Sequence, residues 1–287
     1  MGLSSVSRRV LAVGAVIVAG ALGLSACGDG GDTNAGTGGG ASSNAPAAGS
    51  GPKVVHPGKL TTCTNLPYEP FQFKQGDKVV GFDVDIVDLA AKKLGLTQEI
   101  VDIDFAVIKS GAAMAAGKCD VAAAGMTITP ERQANIDFSV PYFDATQALL
   151  GKKGLGVKTL DEVKAKNLRV GAQASTTGLE FAKKNGLNPK EFADSPKELL
   201  GLQSNQVDVI IQDLPVVLTW LKKPEIADKF ELFASLDTGE QYGVGLKKGA
   251  DPVLLKAVND AITTAKSDGT YEQLFVKWFG KKPGELG

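Results

Sequence analysis

The sequence has few of the residues that enzymes and metal proteins rely on. It contains one histidine, His56, so the commonest acid–base residue is almost absent from its 287 residues. Its three cysteines, Cys27, Cys63 and Cys119, do not have the spacing of a zinc site. No Gly-x-Ser-x-Gly, His-Glu-x-x-His or phosphate-loop motif occurs. Carboxylates and lysines remain as catalytic candidates, but we expect a protein without catalysis, cofactor or metal.

The charged residues are balanced and scattered. Lys and Arg number 31 and Asp and Glu 32, and neither a basic block nor an interleaved aromatic pattern occurs. This argues against a nucleic-acid partner. With 43% hydrophobic residues the chain can bury a sizeable core, as one large domain or two smaller ones.

Residues 1–26 have the pattern of an export signal. A basic start, MGLSSVSRR, precedes the apolar run VLAVGAVIVAGALGL, and the small-residue site LSAC ends at Cys27. The run is short for a membrane-spanning helix. The site resembles the bacterial lipobox, so we expect cleavage before Cys27 and a lipid on that residue. Arg8 and Arg9 also loosely resemble a twin-arginine signal, which leaves the export route open.

The segment that follows, within residues 27–51, is predicted to be a flexible tether. It has no aromatic residue and no aliphatic residue larger than alanine, so it cannot bury surface. Such a chain reaches roughly 25–30 Å. A lipid followed by a tether predicts a domain that works at the outer face of a bacterial cell membrane.

From Lys59 onward, predicted strands and helices alternate. The strands are KLTTCT, EIVDIDF and CDVAAAG, and the helices are FDVDIVDLAAKKLG and AVIKSGAAMAAG. A second series begins near residue 147, with strands LRVGAQ and VDVIIQD and helices TLDEVKAK and SPKELLGLQ. Both of these helices begin with a Ser/Thr-x-x-Glu capping box. The alternation predicts parallel sheets flanked by helices, whose ligands bind beyond the carboxyl ends of the strands.

Arg132 is the residue whose position in the sequence most clearly indicates a bound ligand. Thr129 is a good N-cap and Pro130 suits the first helical position, so Arg132 falls in a first turn where the helix dipole disfavours a cation. A bound anion would explain it, since a guanidinium binds carboxylate with two parallel hydrogen bonds. The helix that starts in STTGLEFAKK offers free N–H groups to the same anion. Asp213, at the end of VDVIIQD, could hold an ammonium group, which predicts a zwitterionic ligand.

Several segments together resemble a known family. They are KQGDKVVGFDVDI, AAGMTITPER, DFSVPY, QYGVGLKKG and DGTYEQLFVKWFG. They are similar to the extracellular amino-acid-binding proteins of ABC importers, and most similar to the glutamine-binding branch, over about residues 59–281. The resemblance implies an α/β, two-lobed periplasmic-binding-protein type II (Venus flytrap) fold. Each lobe would be a mainly parallel sheet flanked by helices, and two crossover strands would join the lobes.

The resemblance also implies the division of the chain. Lobe 1 would comprise residues 52–146 plus 238–287, and lobe 2 residues 147–237. KLTTCT and CDVAAAG would be neighbouring parallel strands of lobe 1. We therefore expect Cys63 and Cys119 to form a disulfide, in keeping with an extracellular protein.

The family pattern assigns the groups that hold the amino-acid head of a ligand. Arg132, Thr127 and the backbone N–H of Thr177 would bind the α-carboxylate. Asp213, the Gly125 carbonyl and the Thr127 hydroxyl would bind the α-ammonium.

The same pattern assigns the groups around the ligand's side chain. Tyr68 and Phe105 would sandwich it, and Asn65, Gln173 and Gln212 would face its tip. The glutamine-binding branch has an acid, a lysine and a histidine at those last three places, so this chain departs from it. Three neutral amides favour a neutral polar side chain, with glutamine the best fit and moderate promiscuity expected.

We therefore expect a monomeric, lipid-anchored receptor that binds a polar amino acid, glutamine or a similar one, and delivers it to an ABC permease. Two alternatives stay open at this point. One is an enzyme on the same fold, a dehydratase of prephenate or arogenate. The other is an amino-acid sensor that reports to a separate signalling chain.

Overall fold

The computed structural model describes residues 51–286. The predicted signal, the lipid site Cys27 and nearly all of the tether lie outside these residues. The described residues form twelve strands: β1 Lys59–Thr64, β2 Phe73–Gln75, β3 Lys78–Val80, β4 Thr97–Asp102, β5 Val121–Ala122, β6 Ile136–Phe138, β7 Phe143–Lys152, β8 Val170–Gln173, β9 Lys190–Phe192, β10 Val209–Asp213, β11 Phe230–Tyr242 and β12 Gly245–Lys247.

Helices follow most of the strands, as the alternating pattern predicted. They are α1 Phe82–Lys93, α2 Phe105–Lys109, α3 Ala112–Ala115, α4 Pro130–Gln133, α5 Leu160–Ala165, α6 Thr177–Lys184, α7 Ser195–Gln203, α8 Leu214–Leu221, α9 Pro224–Ala227, α10 Pro252–Asp268 and α11 Thr270–Phe279. Within residues 51–286, no helix has both the length and the apolar character needed to cross a membrane.

Ten of these strands make two five-stranded sheets, one in each lobe, and β2 and β3 pair with each other as a small third sheet. The first has the order β4-β1-β5-β12-β6 and the second β11-β7-β10-β8-β9. In each five-stranded sheet four strands run in a common direction and one runs against them, β12 in the first and β7 in the second. The predicted α/β fold with two mainly parallel sheets is confirmed.

Two long strands, β7 and β11, cross between the two lobes. They pair with each other in antiparallel fashion from Phe143 with Tyr242 to Lys152 with Phe230, with register shifts along the way. The start of β7 and the end of β11 lie beside a buried aromatic cluster that includes Phe71 and Phe279. The crossover is therefore fixed by backbone pairing and by packing at the same place.

Three local predictions were wrong. The predicted strand EIVDIDF ends at Asp102, and Phe105 instead begins α2, because Asp104 caps that helix. The segment after it is two short helices rather than one, since Gly111 between them has a left-handed backbone with φ 78°. The capping box forms at Thr159 in α5, but α7 is capped by Asp194, which leaves Glu198 free for another contact.

The two cysteines of the first lobe are bonded. Their Sγ atoms lie 2.02 Å apart, in a disulfide between Cys63 and Cys119. Cys63 is on β1 and Cys119 comes just before β5, and these strands pair in parallel. The bond closes a segment of the first lobe that contains β2, β3, α1, β4, α2 and α3.

Candidate functional site

The predicted site is a cavity at the carboxyl ends of strands from both sheets. Strands β1, β5, β8 and β10 all end at its wall. Twelve residues line it: Asn65, Tyr68, Gln72, Phe105, Ala124, Gly125, Thr127, Arg132, Gln173, Thr176, Thr177 and Asp213.

Arg132 is held in the cavity wall by its own short helix. Thr129 caps α4 and its hydroxyl accepts from the Arg132 N–H at 3.2 Å, as the sequence predicted. The guanidinium donates to the carbonyls of Thr127 at 2.9 Å and Ser175 at 3.4 Å, and lies 5.5 Å from the centre of the Phe105 ring. It is 4% exposed, and burial lowers its pKa. Within the described residues it bonds to no carboxylate, so a buried cation lacks an anionic partner.

Asp213 brings the opposite charge to the same cavity. Its Oδ1 accepts from Gln147 Nε2 at 2.5 Å, and its Oδ2 accepts from the hydroxyls of Tyr68 and Tyr242. Burial raises the pKa of the carboxyl group, and these hydrogen bonds oppose that rise. The cavity wall therefore carries one buried cation and one buried acid, a pattern suited to a zwitterion.

Helix α6 begins at the cavity and supplies N–H donors from the second lobe. Thr176 is its N-cap, accepting from the Leu179 N–H at 3.2 Å, and Thr177 is its first residue. First-turn N–H groups have no acceptor within a helix and favour anions. The Thr177 hydroxyl is 3.4 Å from that of Thr127 and donates to Glu240 at 3.0 Å. The two lobes therefore meet at this wall.

Gly125 is required by its close approach to Tyr68. It has φ 55°, and a Cβ atom there would lie 2.9 Å from the Tyr68 ring. Its N–H donates to Asp83 Oδ2 at 2.7 Å, and Asp83 Oδ1 accepts from the Tyr142 hydroxyl at 2.7 Å. Burial raises the pKa of Asp83 to about 6. With its N–H in use, Gly125 has only its carbonyl oxygen to offer a ligand.

Neutral amides form the rest of the polar wall. Asn65 Nδ2 donates to the Ile103 carbonyl at 3.1 Å, and Gln72 Nε2 donates to the Asn65 carbonyl at 3.3 Å. The side-chain oxygens of Gln72 and Gln173 are buried and have no hydrogen-bond partner in the part of the chain that the structure describes. Buried polar atoms are usually paired, so these two oxygens are available acceptors.

Nine of the ten predicted ligand residues line this cavity, and Gln212 does not. It precedes Asp213 on β10, and its side-chain oxygen accepts from the Asp213 N–H, so its amide lies next to the lining residues without being one of them. Its amide instead contacts Glu198 and the Tyr68 hydroxyl. Direct contact of Gln212 with a ligand stays a prediction, and in this geometry Gln212 reaches the cavity through Tyr68 and Asp213.

The structure adds three lining residues that the sequence prediction lacked: Gln72, Ala124 and Thr176. Thr176 had a detectable signal, because threonine is a strong N-cap and the helix start was already placed beside it. No sequence signal indicated Gln72, since it lies in a short loop whose conformation depends on contacts with residues far away in the chain. Within the described residues, no three His, Cys, Asp or Glu side chains are grouped to hold a metal ion.

Comparison with known proteins identifies the family. Residues 60–281 match the model of the bacterial extracellular solute-binding proteins, family 3, and the chain belongs to this family. A probable histidine-binding protein of Neisseria gonorrhoeae is 31% identical over 285 residues, covering 95% of this chain and 97% of that protein.

Two solved structures extend the comparison. An ancestral arginine-binding protein bound to glutamine is 38% identical with a TM-score of 0.71, covering 78% of this chain and 99% of that one. The ancestral amino acid-binding protein AncCDT-1, a precursor of cyclohexadienyl dehydratase, is 32% identical with a TM-score of 0.69, covering 77% of this chain and 95% of that one. The two-lobed type II binding-protein fold is thereby established.

Proposed function

We propose that this protein is an extracellular receptor that binds a free amino acid between its two lobes and delivers it to an ABC permease. The proposal rests mainly on one observation: Arg132 and Asp213, a buried cation and a buried acid, line the same cavity. Arg132 is a buried cation without a carboxylate partner in the described chain, and Asp213 is a buried acid held by neutral donors. An amino acid carries the two charges that both residues need.

The head of the ligand is assigned to the charged set, which we define as Arg132, Thr127, Thr177, Asp213 and Gly125. The α-carboxylate binds the guanidinium, the Thr127 hydroxyl and the Thr177 N–H. The α-ammonium binds Asp213, the Gly125 carbonyl and the Thr127 hydroxyl. In support, all five residues line one cavity, and the Gly125 N–H is already bonded to Asp83.

The side chain of the ligand is assigned to Tyr68, Phe105 and the amide set, which we define as Asn65, Gln72 and Gln173. Among the lining residues, Arg132 and Asp213 are the charged ones, and both are used by the ligand head. A charged side chain would therefore be buried without a partner, which is very costly. A neutral polar side chain is favoured, glutamine first. The ancestral arginine-binding protein has been solved both with glutamine and with arginine, so it supports an amino-acid ligand and does not decide between the two.

The receptor is further proposed to be a monomer that is anchored through a lipid on Cys27 and works outside the cell membrane. The lipobox-like site and the tether support this, and both lie outside the described residues. The lobes are proposed to be residues 52–146 plus 238–287 and residues 147–237. In support, the strands of the two sheets divide at the crossover strands β7 and β11.

A dehydratase of prephenate-like acids is the second candidate, because a structural relative is the precursor of cyclohexadienyl dehydratase. Such an enzyme needs a general acid near a leaving hydroxyl. In the cavity lining, Asp213 is the only carboxyl group, and the receptor assignment uses it for the ammonium. The dehydratase hypothesis therefore predicts turnover without tight amino-acid binding.

Calorimetric titration with each of the twenty amino acids, together with a turnover assay on prephenate and arogenate, separates the two functions. We expect binding of a polar amino acid and no product. Asp213→Asn should lose most of the affinity, whereas the exposed Asp228→Asn, also in the second lobe, should bind normally. Product formation would contradict the receptor function, and normal binding by Asp213→Asn would move the ammonium site elsewhere.

A further inference from the structure

A buried acid behind the cavity is not explained by the ligand contacts. Glu198 on α7 is 0% exposed. Its Oε2 accepts from Gln212 Nε2 at 2.7 Å, and its Oε1 has no partner within residues 51–286. Burying a carboxyl group with a single hydrogen bond is costly, so its presence calls for a role.

Glu198 fixes which way the Gln212 amide points. Gln212 Oε1 accepts from the Asp213 N–H at 2.8 Å and from the Tyr68 hydroxyl at 2.8 Å. The backbone N–H can only donate, so it must meet the amide oxygen, and Glu198 Oε2 accepts, so it must meet the amide nitrogen. The two neighbours therefore demand the same orientation, and the Gln212 oxygen is held against Tyr68.

The hydroxyl of Tyr68 has one proton and two acceptors. One acceptor is Gln212 Oε1 and the other is Asp213 Oδ2, which also accepts from Tyr242. A ligand ammonium that binds Asp213 needs room on the carboxylate. When the Tyr68 hydroxyl donates its hydrogen bond to Gln212 Oε1, one position on Asp213 Oδ2 becomes free for the ammonium.

We propose that Glu198 is a positioning residue for ligand binding. By accepting from Gln212 it holds the Gln212 oxygen against Tyr68, which releases Asp213 for the ammonium of the ligand. This rests on the proposed function, because it needs a ligand whose ammonium binds Asp213. Oε2 accepts whether or not Oε1 carries a proton, so the role depends on an acceptor and not on a charge.

The test is calorimetric titration of five variants with glutamine. Glu198→Leu removes the acceptor, whereas Glu198→Gln keeps one. We expect Glu198→Leu to weaken binding by about tenfold, the effect of one hydrogen bond. Glu198→Gln should bind within about twofold of the parent protein. The control Ser195→Ala, a buried residue of the same helix, should bind normally.

The last two variants test whether Glu198 acts through Gln212. Gln212→Met should weaken binding by itself, and adding Glu198→Leu to it should have no further effect, because the two residues act in one chain of contacts. Independent losses in the double variant would overturn the proposal. Unchanged binding by a folded Glu198→Leu, or a Glu198→Gln as weak as Glu198→Leu, would also overturn it.

One measurement does not depend on the leucine variant folding. NMR should find slow hydrogen exchange at the side-chain amide of Gln212, and fast exchange at the exposed Gln203 of α7. Equally fast exchange at both would overturn the proposal. Failure of the parent protein to bind any amino acid would instead contradict the proposed function, so the two failures are distinguishable.

Discussion

The charged set and the amide set line the same cavity but are built differently. In the charged set, Arg132, Asp213 and Gly125 each have partners that fix their positions, and several of those partners come from distant parts of the chain. In the amide set, Gln72 and Gln173 each have a buried oxygen without a partner in the described chain. The first is preorganised and the second keeps free hydrogen-bonding capacity.

This difference separates what every amino acid shares from what distinguishes one from another. A fixed arrangement of opposite charges binds the common head with little reorganisation on binding. Amides can present either an acceptor or a donor, so they accommodate more than one neutral polar side chain. We therefore expect affinity to depend mainly on the charged set and ligand preference on the amide set.

The largest effect is expected from removing the cation of the charged set. Arg132→Ala should weaken binding by about 2–5 kcal/mol, because the ligand carboxylate is then buried without its partner. Arg132→Lys should also bind poorly, since lysine cannot form two parallel hydrogen bonds. The surface residue Arg169, paired with Asp208, provides the control: Arg169→Lys should bind normally in calorimetry. Unchanged affinity in either Arg132 variant would refute the carboxylate role.

Asp83, which accepts from the Gly125 N–H of the charged set, should make the free energy of unfolding depend on pH. The pKa of Asp83 is about 6 in the folded protein, against 3.8 ordinarily, so between these values the folded state binds the extra proton. The contribution of Asp83 to the free energy of unfolding is therefore largest below pH 4 and falls by about 3 kcal/mol as the pH rises through 6.

Denaturant unfolding of the parent protein and of Asp83→Asn at several pH values measures this contribution. The difference between their unfolding free energies should change with pH across that window. The exposed Asp77→Asn, in the same lobe, serves as the control. A parent–Asp83→Asn difference that stays constant from pH 4 to pH 7 would contradict the assignment.

A smaller effect is expected at Gly125, whose backbone lies close to the Tyr68 ring. Gly125→Ala should weaken binding and destabilise the fold by about 1–3 kcal/mol, since the new Cβ overlaps the ring. Gly117 has a similar φ of 66°, but a Cβ atom there would meet no other atom within 4 Å, so Gly117→Ala shares only the backbone strain. Thermal unfolding and titration of both variants separate the two causes. Equal losses of affinity would mean that the Tyr68 contact is unimportant.

The smallest effect is expected in the amide set. Gln173→Met should weaken glutamine binding by about 0.5–1.5 kcal/mol, because one hydrogen bond to the side chain is lost. Methionine, an amino acid of similar length without an amide, should bind the variant as well as it binds the parent protein. Titration of the variant and the parent protein with both ligands gives the change in the ratio of the two affinities. An equal loss of affinity for glutamine and methionine would mean that Gln173 contacts the head of the ligand and not its side chain.

The sequence was sufficient for the residues whose local pattern is informative. Arg132 was found because Thr129 and Pro130 define a helix start, and Asp213 because it ends an apolar strand. Both signals lie within a few residues of the side chain concerned. The fold class followed in the same way from the alternation of strands and helices, together with the family resemblance.

Contacts between segments that are far apart in the chain could not be predicted from the sequence. Tyr68 and Asp213 are 145 positions apart, and no pattern in either segment predicts their hydrogen bond. Asp83 has the sequence pattern of an ordinary acid in the first turn of α1, yet the structure buries it against Gly125. Glu198 was interpreted as a capping residue, but Asp194 takes that place and Glu198 turns inward. Such roles follow from tertiary packing.

The central claim is that the cavity binds the head of an amino acid through opposite charges and leaves a neutral polar side chain to the amides. Competition calorimetry with glutamine, glutamate, arginine and lysine tests it most directly. We expect glutamine to bind tightest, because no charged lining residue remains to pair with a charged side chain. Binding of glutamate, arginine or lysine at least about tenfold tighter than glutamine, or 1.4 kcal/mol, would contradict it.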